Sequence, residues 1–193
     1  TSALNIYNRA EEMAIAIKDS SLIADCANNK GVVYEKNLQK YPEALKEYNL
    51  ALSIYIKMKD KRKMAMAYNN IGIVYKFLGN YPMAIDLYKK SLLIAEETDD
   101  QFFIAVNMTN IGNVYAKMKD YTKAIDYNTK GLNIAIKLNA MNVVVEAASS
   151  IADDYAGMKD YKKAFEWHQK YAAYSDSLYN AEQAKQTTEL ESK

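Results

Sequence analysis

The chain has 193 residues, half of them hydrophobic and a quarter charged, which is typical of a globular protein rather than a disordered one. The formal net charge is +1, and this balance argues against a general binder of nucleic acid or of anionic membranes. Cys26 and His168 are the only cysteine and histidine, which excludes an intrachain disulfide and a multi-histidine metal site. No apolar run reaches about 18 residues. We therefore expect no membrane insertion by this segment, no metal and no cofactor.

The sequence repeats itself with a period of about 40 residues. The clearest columns hold Gly31, Gly72, Gly112 and Ala152; Tyr41, Tyr81, Tyr121 and Tyr161; and Ala44, Ala84, Ala124 and Ala164. A one-residue insertion near Leu38 to Lys40 displaces the first copy. Upstream, Ala3, Tyr7 and Ala10 match Ala44, Tyr48 and Ala51. We therefore expect the chain to open inside the second helix of an earlier repeat.

Each repeat is predicted to be a pair of helices. Apolar residues recur at helical spacing, and short turns separate the periodic segments. Asn80, Asp120 and Asp160 are predicted N-caps, and Pro42 and Pro82 follow the turns where a first helical turn tolerates proline. We expect about nine helices and no strands. The tripeptide Met-Lys-Asp at 58–60 is out of phase with its copies at 118–120 and 158–160, and we interpret it as a coincidence.

These columns resemble the tetratricopeptide repeat family, in the variety whose repeats exceed the usual length. The resemblance implies an all-α fold, a right-handed superhelical solenoid of helix-turn-helix pairs. It implies a repeat array over residues 1–174, with a partial repeat at 1–20 followed by four repeats of about 40 residues. Residues 175–193 lack the pattern and are predicted to form a polar capping or linker helix.

In this family the first helix of each pair lines a concave groove, and its asparagines suit a peptide backbone because an amide both donates and accepts hydrogen bonds. The alternative is that these side chains satisfy neighbouring helix ends or face water. The predicted groove residues are Asn28, Asn29, Asn69, Asn70, Ile73, Lys76, Phe77, Thr109, Asn110, Asn113, Lys117, Ser150 and Asp153.

Other residues with chemical potential are interpreted as structural. Cys26 is predicted to be a buried small hydrophobe and His168 a partly packed residue rather than a catalytic base. Asp153 and Asp154 replace apolar or neutral residues. The simplest interpretation is a solvated final repeat, and the alternative is a groove-end site for a cationic ligand. No phosphate-binding loop, metalloprotease motif or catalytic triad is present, so we expect no enzyme activity in this segment.

The tail after Tyr174 resembles the segment that follows the repeats in bacterial membrane-bound signalling proteins. That resemblance implies a peptide- or protein-binding sensor on the extracytoplasmic side, with any catalytic activity in an output domain elsewhere. Two alternatives stay open. One is a free-standing cytoplasmic peptide-binding adaptor. The other is a self-association scaffold in which the unfinished N-terminal helix pairs with another copy and the chain forms a homodimer.

Overall fold

Nine α-helices follow one another along residues 2–191, the part of the backbone described by this computed structural model; side chains are described for residues 2–181, 183 and 184. No strand occurs within residues 2–191. The helices are α1 Ser2–Ala16, α2 Ser20–Val32, α3 Tyr41–Met58, α4 Lys61–Phe77, α5 Tyr81–Glu97, α6 Gln101–Lys117, α7 Tyr121–Lys137, α8 Met141–Gly157 and α9 Tyr161–Glu191. The paired helices of the sequence prediction are α2 with α3, α4 with α5, α6 with α7 and α8 with α9.

The turns between helices share one local chemistry. Each contains a residue in the left-handed region, with φ between 51° and 75°: Lys18, Gln39, Lys59, Gly79, Asp99, Lys119, Asn139 and Lys159. At the predicted N-caps Asn80, Asp120 and Asp160, the side chain accepts a hydrogen bond from the backbone N–H three residues later, which confirms all three caps. Because these turns recur about every 20 residues, the 40-residue repeat is built from two half-repeats of one helix and one turn each.

The interpretation of Met58-Lys59-Asp60 as a coincidence is therefore wrong. Lys59 has φ 58°, and the Asp60 carboxylate accepts from the Lys63 N–H at 3.0 Å. Lys119 and Asp120 have the same two roles in another turn. The tripeptide recurs at the half-period because turns within pairs and turns between pairs both need a left-handed residue followed by a cap.

The extra residue of the first repeat is absorbed by a turn of π-helix, Val33–Asn37, at the end of α2. The Lys40 N–H reaches back to the Tyr34 carbonyl at 2.8 Å, which closes this wide turn. The same segment places Glu35 in the interior, 6 % exposed, where its carboxylate accepts from the Tyr48 hydroxyl at 3.1 Å. Burial raises the pKa of Glu35 above its ordinary value.

The chain divides into two compact units, Thr1–Phe103 and Ile104–Lys193. The predicted boundary between residues 174 and 175 lies inside α9, which runs without a break from Tyr161 to Glu191. The division into an array and a cap thus stays a prediction, and the last two residues of the predicted cap lie outside the described residues. Within those described, no helix combines the length and apolar character that crossing a membrane requires.

In the first unit, the second helix of each pair packs a tyrosine against a glycine of the first helix. Tyr48 lies over Gly31 and Tyr88 lies over Gly72, and all four residues are buried. A Cβ added at Gly31 would lie 2.6 Å from the Tyr48 ring, and one at Gly72 would lie 2.7 Å from the Tyr88 ring. The glycines are therefore required by the close approach of the paired helices.

In the second unit, this contact between paired helices has a different composition. Asn128 occupies the tyrosine column, is fully buried, and lies over Gly112. The tyrosine moves one residue earlier, to Tyr127, and stacks on Tyr115 with ring centroids 5.6 Å apart. The small amide and the displaced ring together fill the space that one tyrosine fills in the first unit.

The last pair departs further from the sequence interpretation. Asp154 is 1 % exposed, so the prediction of a solvated carboxylate is wrong for this residue and holds only for the exposed Asp153. Burial raises the pKa of Asp154 to about 7. His168, predicted to be partly packed, is instead exposed beside the Tyr171 ring, with centroids 5.5 Å apart. Cys26 is 3 % exposed, as predicted.

Candidate functional site: the first-helix faces

In the first unit, α4 presents a mixed apolar and amide stripe. Met66, Asn70, Ile73 and Phe77 are spaced four, three and four residues apart, which places them on one face of the helix. Phe77 is 56 % exposed, and the other three side chains are partly exposed. An apolar surface flanked by an amide is suited to contact with an extended peptide.

An aromatic pair fixes the position of Phe77. Its ring stacks on Tyr41, the first residue of α3, with centroids 5.8 Å apart and an interplanar angle of 10°. The Lys76 ammonium lies 5.4 Å from the centroid of the Phe77 ring. The site therefore offers a rigid, half-covered aromatic surface next to a positive charge.

Some asparagines of the repeat columns form hydrogen bonds between neighbouring helices. The Asn70 side-chain N–H donates to Asn28 Oδ1 at 3.0 Å and so joins α4 to α2. Asn28 and Asn69 are each 6 % exposed, whereas Asn29 and Asn70 retain exposed surface. The alternative left open from the sequence, that the amides satisfy neighbouring helices, thus describes the Asn28–Asn70 contact.

A charged network borders this face. Lys63 Nζ lies 2.8 Å from both carboxylate oxygens of Asp25, and the Tyr55 hydroxyl donates to Asp25 Oδ1 at 2.8 Å. Burial and the Asp25 carboxylate raise the pKa of Tyr55. Because these contacts join α2, α3 and α4, the network neutralises the Asp25 charge and holds the three helices together.

In the second unit, the predicted groove residues of α6 separate into buried and accessible ones. Thr109 is 2 % exposed and packs on α7, where a Cβ added at Gly131 would lie 2.6 Å from Thr109 Oγ1. Asn110 is 8 % exposed, whereas Asn113 is partly exposed and Lys117 is exposed. Thr109 therefore belongs to helix packing in this structure and not to a ligand-facing surface.

The accessible face of α8 continues the polar character. Asn113 Nδ2 donates to Glu146 Oε1 at 3.0 Å, which links α6 to α8. Ser150 is partly exposed and Asp153 is exposed on the same side of α8 as Glu146. These side chains can exchange hydrogen bonds with a ligand, but they supply no apolar surface comparable to Phe77.

Two residues that contribute to the surface around Phe77 were not among the predicted site residues. Met66 was missed although it lies one helical turn before Asn70, so the periodicity of the stripe could have identified it. Tyr41 was assigned to the repeat pattern alone, and its stack on Phe77 depends on two different helices meeting. Among the described residues, no group of three potential ligands is arranged to hold a metal ion.

Comparison with known proteins identifies the class of fold. The family model described as tetratricopeptide repeat matches residues 63–137. No curated protein matches the chain. The resemblance to tetratricopeptide repeats stated from the sequence is therefore confirmed.

Solved structures share the fold at low sequence identity. Aspartyl phosphate phosphatase F from Bacillus subtilis superimposes with a TM-score of 0.83 at 20 % identity, over 90 % of this chain and 45 % of that one. A Rap protein complexed with Competence and Sporulation Factor gives 0.80 at 22 % identity, over 93 % and 51 %. A signal transduction ATPase from Pyrococcus horikoshii with a tetratricopeptide repeat sensor gives 0.75 at 22 % identity, over 89 % and 26 %.

These likenesses confirm the predicted fold class, an all-α tetratricopeptide solenoid. The chain spans about half or less of the length of the three proteins just described. It has the fold of a class of helical-repeat proteins that includes protein-interaction modules.

Proposed function

We propose that this chain is a non-enzymatic binding module that holds a peptide or protein segment against the exposed faces of its first helices. The observation that carries the proposal is the α4 stripe, where the 56 % exposed Phe77 ring adjoins Ile73 and the amide of Asn70. A ligand side chain packed on Phe77 would bury apolar surface while its backbone pairs with Asn70.

The energetics require a ligand that spans more than one helix. Burial of one large apolar side chain contributes about 1.5–3 kcal/mol, and one amide hydrogen bond contributes about 1 kcal/mol. A micromolar complex requires about 8 kcal/mol. The α4 stripe is therefore one anchor, and we expect polar contacts on neighbouring helices, such as Asn29 on α2, to add to it.

The proposed context is the ligand-sensing or interaction part of a larger bacterial signal-transduction protein. Two proteins of similar fold support it: a Rap protein complexed with Competence and Sporulation Factor and a signalling ATPase with a tetratricopeptide repeat sensor. We place the module on the extracytoplasmic side, following the resemblance of its tail. A free-standing cytoplasmic adaptor is the alternative, and detection of the native protein in membrane, periplasmic and cytoplasmic fractions distinguishes the two.

The test is an unbiased selection from a displayed peptide library against the full chain, followed by affinity measurement with the selected peptides. We expect Phe77→Ala combined with Ile73→Ser to weaken binding at least about tenfold, because it removes the apolar anchor. Phe102→Ala is the matched control, since Phe102 is 42 % exposed in the same unit but lies off the α4 stripe. Equal affinity of the double variant and the control would contradict the proposal.

The amide contribution is tested with the same peptides. Asn29→Ala together with Asn70→Ala is expected to weaken binding because both amides are partly exposed on first helices of the first unit. The loss of the Asn70 contact to Asn28 affects stability, so the helical melting transition of each variant must be recorded beside its affinity. Unaltered affinity would show that these asparagines do not contribute to binding, and Phe77 would remain the centre of the proposed site.

A further inference from the structure

An exposed stripe on α9 is separate from the proposed ligand-binding faces. It consists of residues spaced four, three, four, three and four apart: Tyr161, Phe165, His168, Ala172, Ser175 and Tyr179. At 100° per residue these positions lie within about 80° of arc, so they form one continuous face. We propose that a second copy of this chain docks on this α9 stripe, with the two α9 helices antiparallel.

Within the part of the chain that the structure describes, the three large aromatic side chains of the stripe are mostly exposed. Tyr161, Phe165 and Tyr179 are 68 %, 65 % and 61 % exposed. Trp167 and Tyr174, on another face of α9, pack against the apolar core of the second unit instead. Three large aromatic side chains exposed in one line exceed the scattered apolar exposure that is normal on a protein surface.

The repeat columns show that the equivalent position of other second helices contacts a following helix. Tyr41, in the Tyr161 column, stacks on Phe77 of a following helix, α4. Tyr121, in the same column, covers Gly157 of the following helix α8, where an added Cβ would lie 2.5 Å from its ring. Tyr161 has the same position in its own helix and is exposed.

A second column gives the same result. Leu52 and Leu132 are 9 % and 3 % exposed on α3 and α7, which pack against α4 and α8 respectively. The corresponding residue of α9, Ala172, is exposed. The surface that a following helix covers in each unit is thus left uncovered on α9 by the residues that the structure describes, and a helix is the shape that fits it.

The size and charge of the residues favour a second α9 as the occupant. With the two-fold axis beside residue 170, antiparallel pairing opposes Phe165 to Ser175 of the second copy and His168 to Ala172 of the second copy. At these two pairs a large side chain meets a small one, as in interdigitating helices, and the same axis opposes Tyr161 to Tyr179 of the second copy at the ends of the stripe. Parallel pairing would instead oppose each aromatic ring to its own copy.

The flanking charges agree with the antiparallel arrangement. Lys162 and Asp176 are both exposed and lie on the same border of the stripe. The same two-fold axis brings Lys162 of one copy within about two residues, or about 3 Å along the helix axis, of Asp176 of the other, at both ends of the contact. Two attractive contacts between opposite charges therefore flank the dimer interface, one at each end, as in other helix pairs.

The buried area corresponds to a weak dimer. A buried aromatic side chain covers about 150–250 Å², so the exposed parts of six such rings supply roughly 600–1,000 Å². Specific interfaces begin at roughly 1,200 Å², and the flanking polar residues must supply the rest. We therefore expect a dimer that forms at micromolar concentrations.

The test is sedimentation velocity of the full chain from about 1 to 300 µM, a range that brackets micromolar association. The expected result is a shift from the mass of one copy to that of two. Phe165→Glu should abolish the shift, whereas Leu93→Glu should not, because Leu93 is 57 % exposed on α5, away from the stripe. A single copy throughout the range, or an undiminished dimer of Phe165→Glu, would overturn the proposal.

Charge exchange tests the antiparallel orientation. Lys162→Asp and Asp176→Lys should each weaken the dimer about tenfold or more, because each places like charges together at both ends. The double variant should restore the dimer to within about threefold of the native chain. A double variant as weak as the single ones would overturn the antiparallel arrangement. Phe165→Glu should leave affinity for peptides that depend on Phe77 unchanged, so the two proposals fail separately.

Discussion

The side-chain amide of Asn128 donates a hydrogen bond to the Asp154 carboxyl group at 3.3 Å, inside the second unit. Both residues stand where the other repeats carry larger or apolar ones: Asn128 in the column of Tyr48 and Tyr88, and Asp154 in the column of valines that includes Val114. An asparagine thus replaces a tyrosine on α7, and an aspartate replaces a valine on the neighbouring helix α8. The pair forms a polar contact across two repeats.

This contact predicts that the free energy of unfolding falls as the pH rises. The unfolded Asp154 releases its proton near pH 4, whereas in the folded chain its pKa is raised to about 7. Between these values the folded chain binds more protons than the unfolded chain, so stability is lost as pH increases through this window and is constant above it. The total loss is at most about 4 kcal/mol.

Asp154→Asn should remove this dependence. It retains hydrogen-bonding groups for Asn128 but cannot ionise, so we expect higher stability than the native chain at pH 8 and a smaller slope between pH 4 and 7. Urea unfolding monitored by circular dichroism at several pH values measures both. Asp153→Asn is the matched control, since the neighbouring side chain is exposed. If both variants behave alike, Asp154 is not the titrating group.

A buried ion triad in the first unit predicts a non-additive set of variants. Lys30 Nζ lies 2.8 Å from Glu11 and 3.1 Å from Glu47, and its side chain is 7 % exposed. Lys30→Ile should cost about 3–5 kcal/mol because it leaves two carboxylates without their cation. Urea unfolding at pH 7 is the measurement.

A variant in which Glu11, Lys30 and Glu47 are all replaced is the control for Lys30→Ile. Other repeats place apolar residues in these three columns: Ile71 for Lys30, Leu87 for Glu47 and Leu52 for Glu11. Replacing all three residues with their apolar counterparts should recover stability to the native level or above, since no charge remains buried. A triple variant as unstable as Lys30→Ile would contradict this account.

The contact between Gly72 and Tyr88 predicts that a single added methyl group strongly lowers the stability of the fold. In Gly72→Ala the new Cβ would lie 2.7 Å from the Tyr88 ring, which is fully buried and cannot move away. We expect a loss of about 2–3 kcal/mol, as for overpacking of a core, measured as the shift in urea midpoint.

Gly79→Ala separates this packing effect from the conformational preference of glycine. Gly79 has φ 75° and open space around its α-carbon, so alanine there should cost about 1 kcal/mol through the backbone alone. Equal losses for the two variants would show that the ring of Tyr88 moves to make room.

Local features of this protein are determined by the sequence itself. The helix pairs, the caps at Asn80 and Asp120, and the small residue at Gly72 could all be predicted because each depends on a short stretch of chain or on a repeated column. The shared turn at Lys59 was equally local. Lys59 lies 20 residues before Gly79, the left-handed residue of the next turn, and comparison at the 40-residue period alone does not reveal this equivalence.

Only the tertiary structure decided which polar side chains are accessible. Asn110 belongs to the same column as Asn70, yet Asn110 is buried and Asn70 is partly exposed, because the exposure of a first helix depends on the helices packed around it. Asp154, interpreted as solvated, is buried because Asn128 leaves space for it on a different helix. Periodicity orients a side chain about its own helix axis, but burial and hydrogen bonding depend on the residues that neighbouring helices bring to the contact.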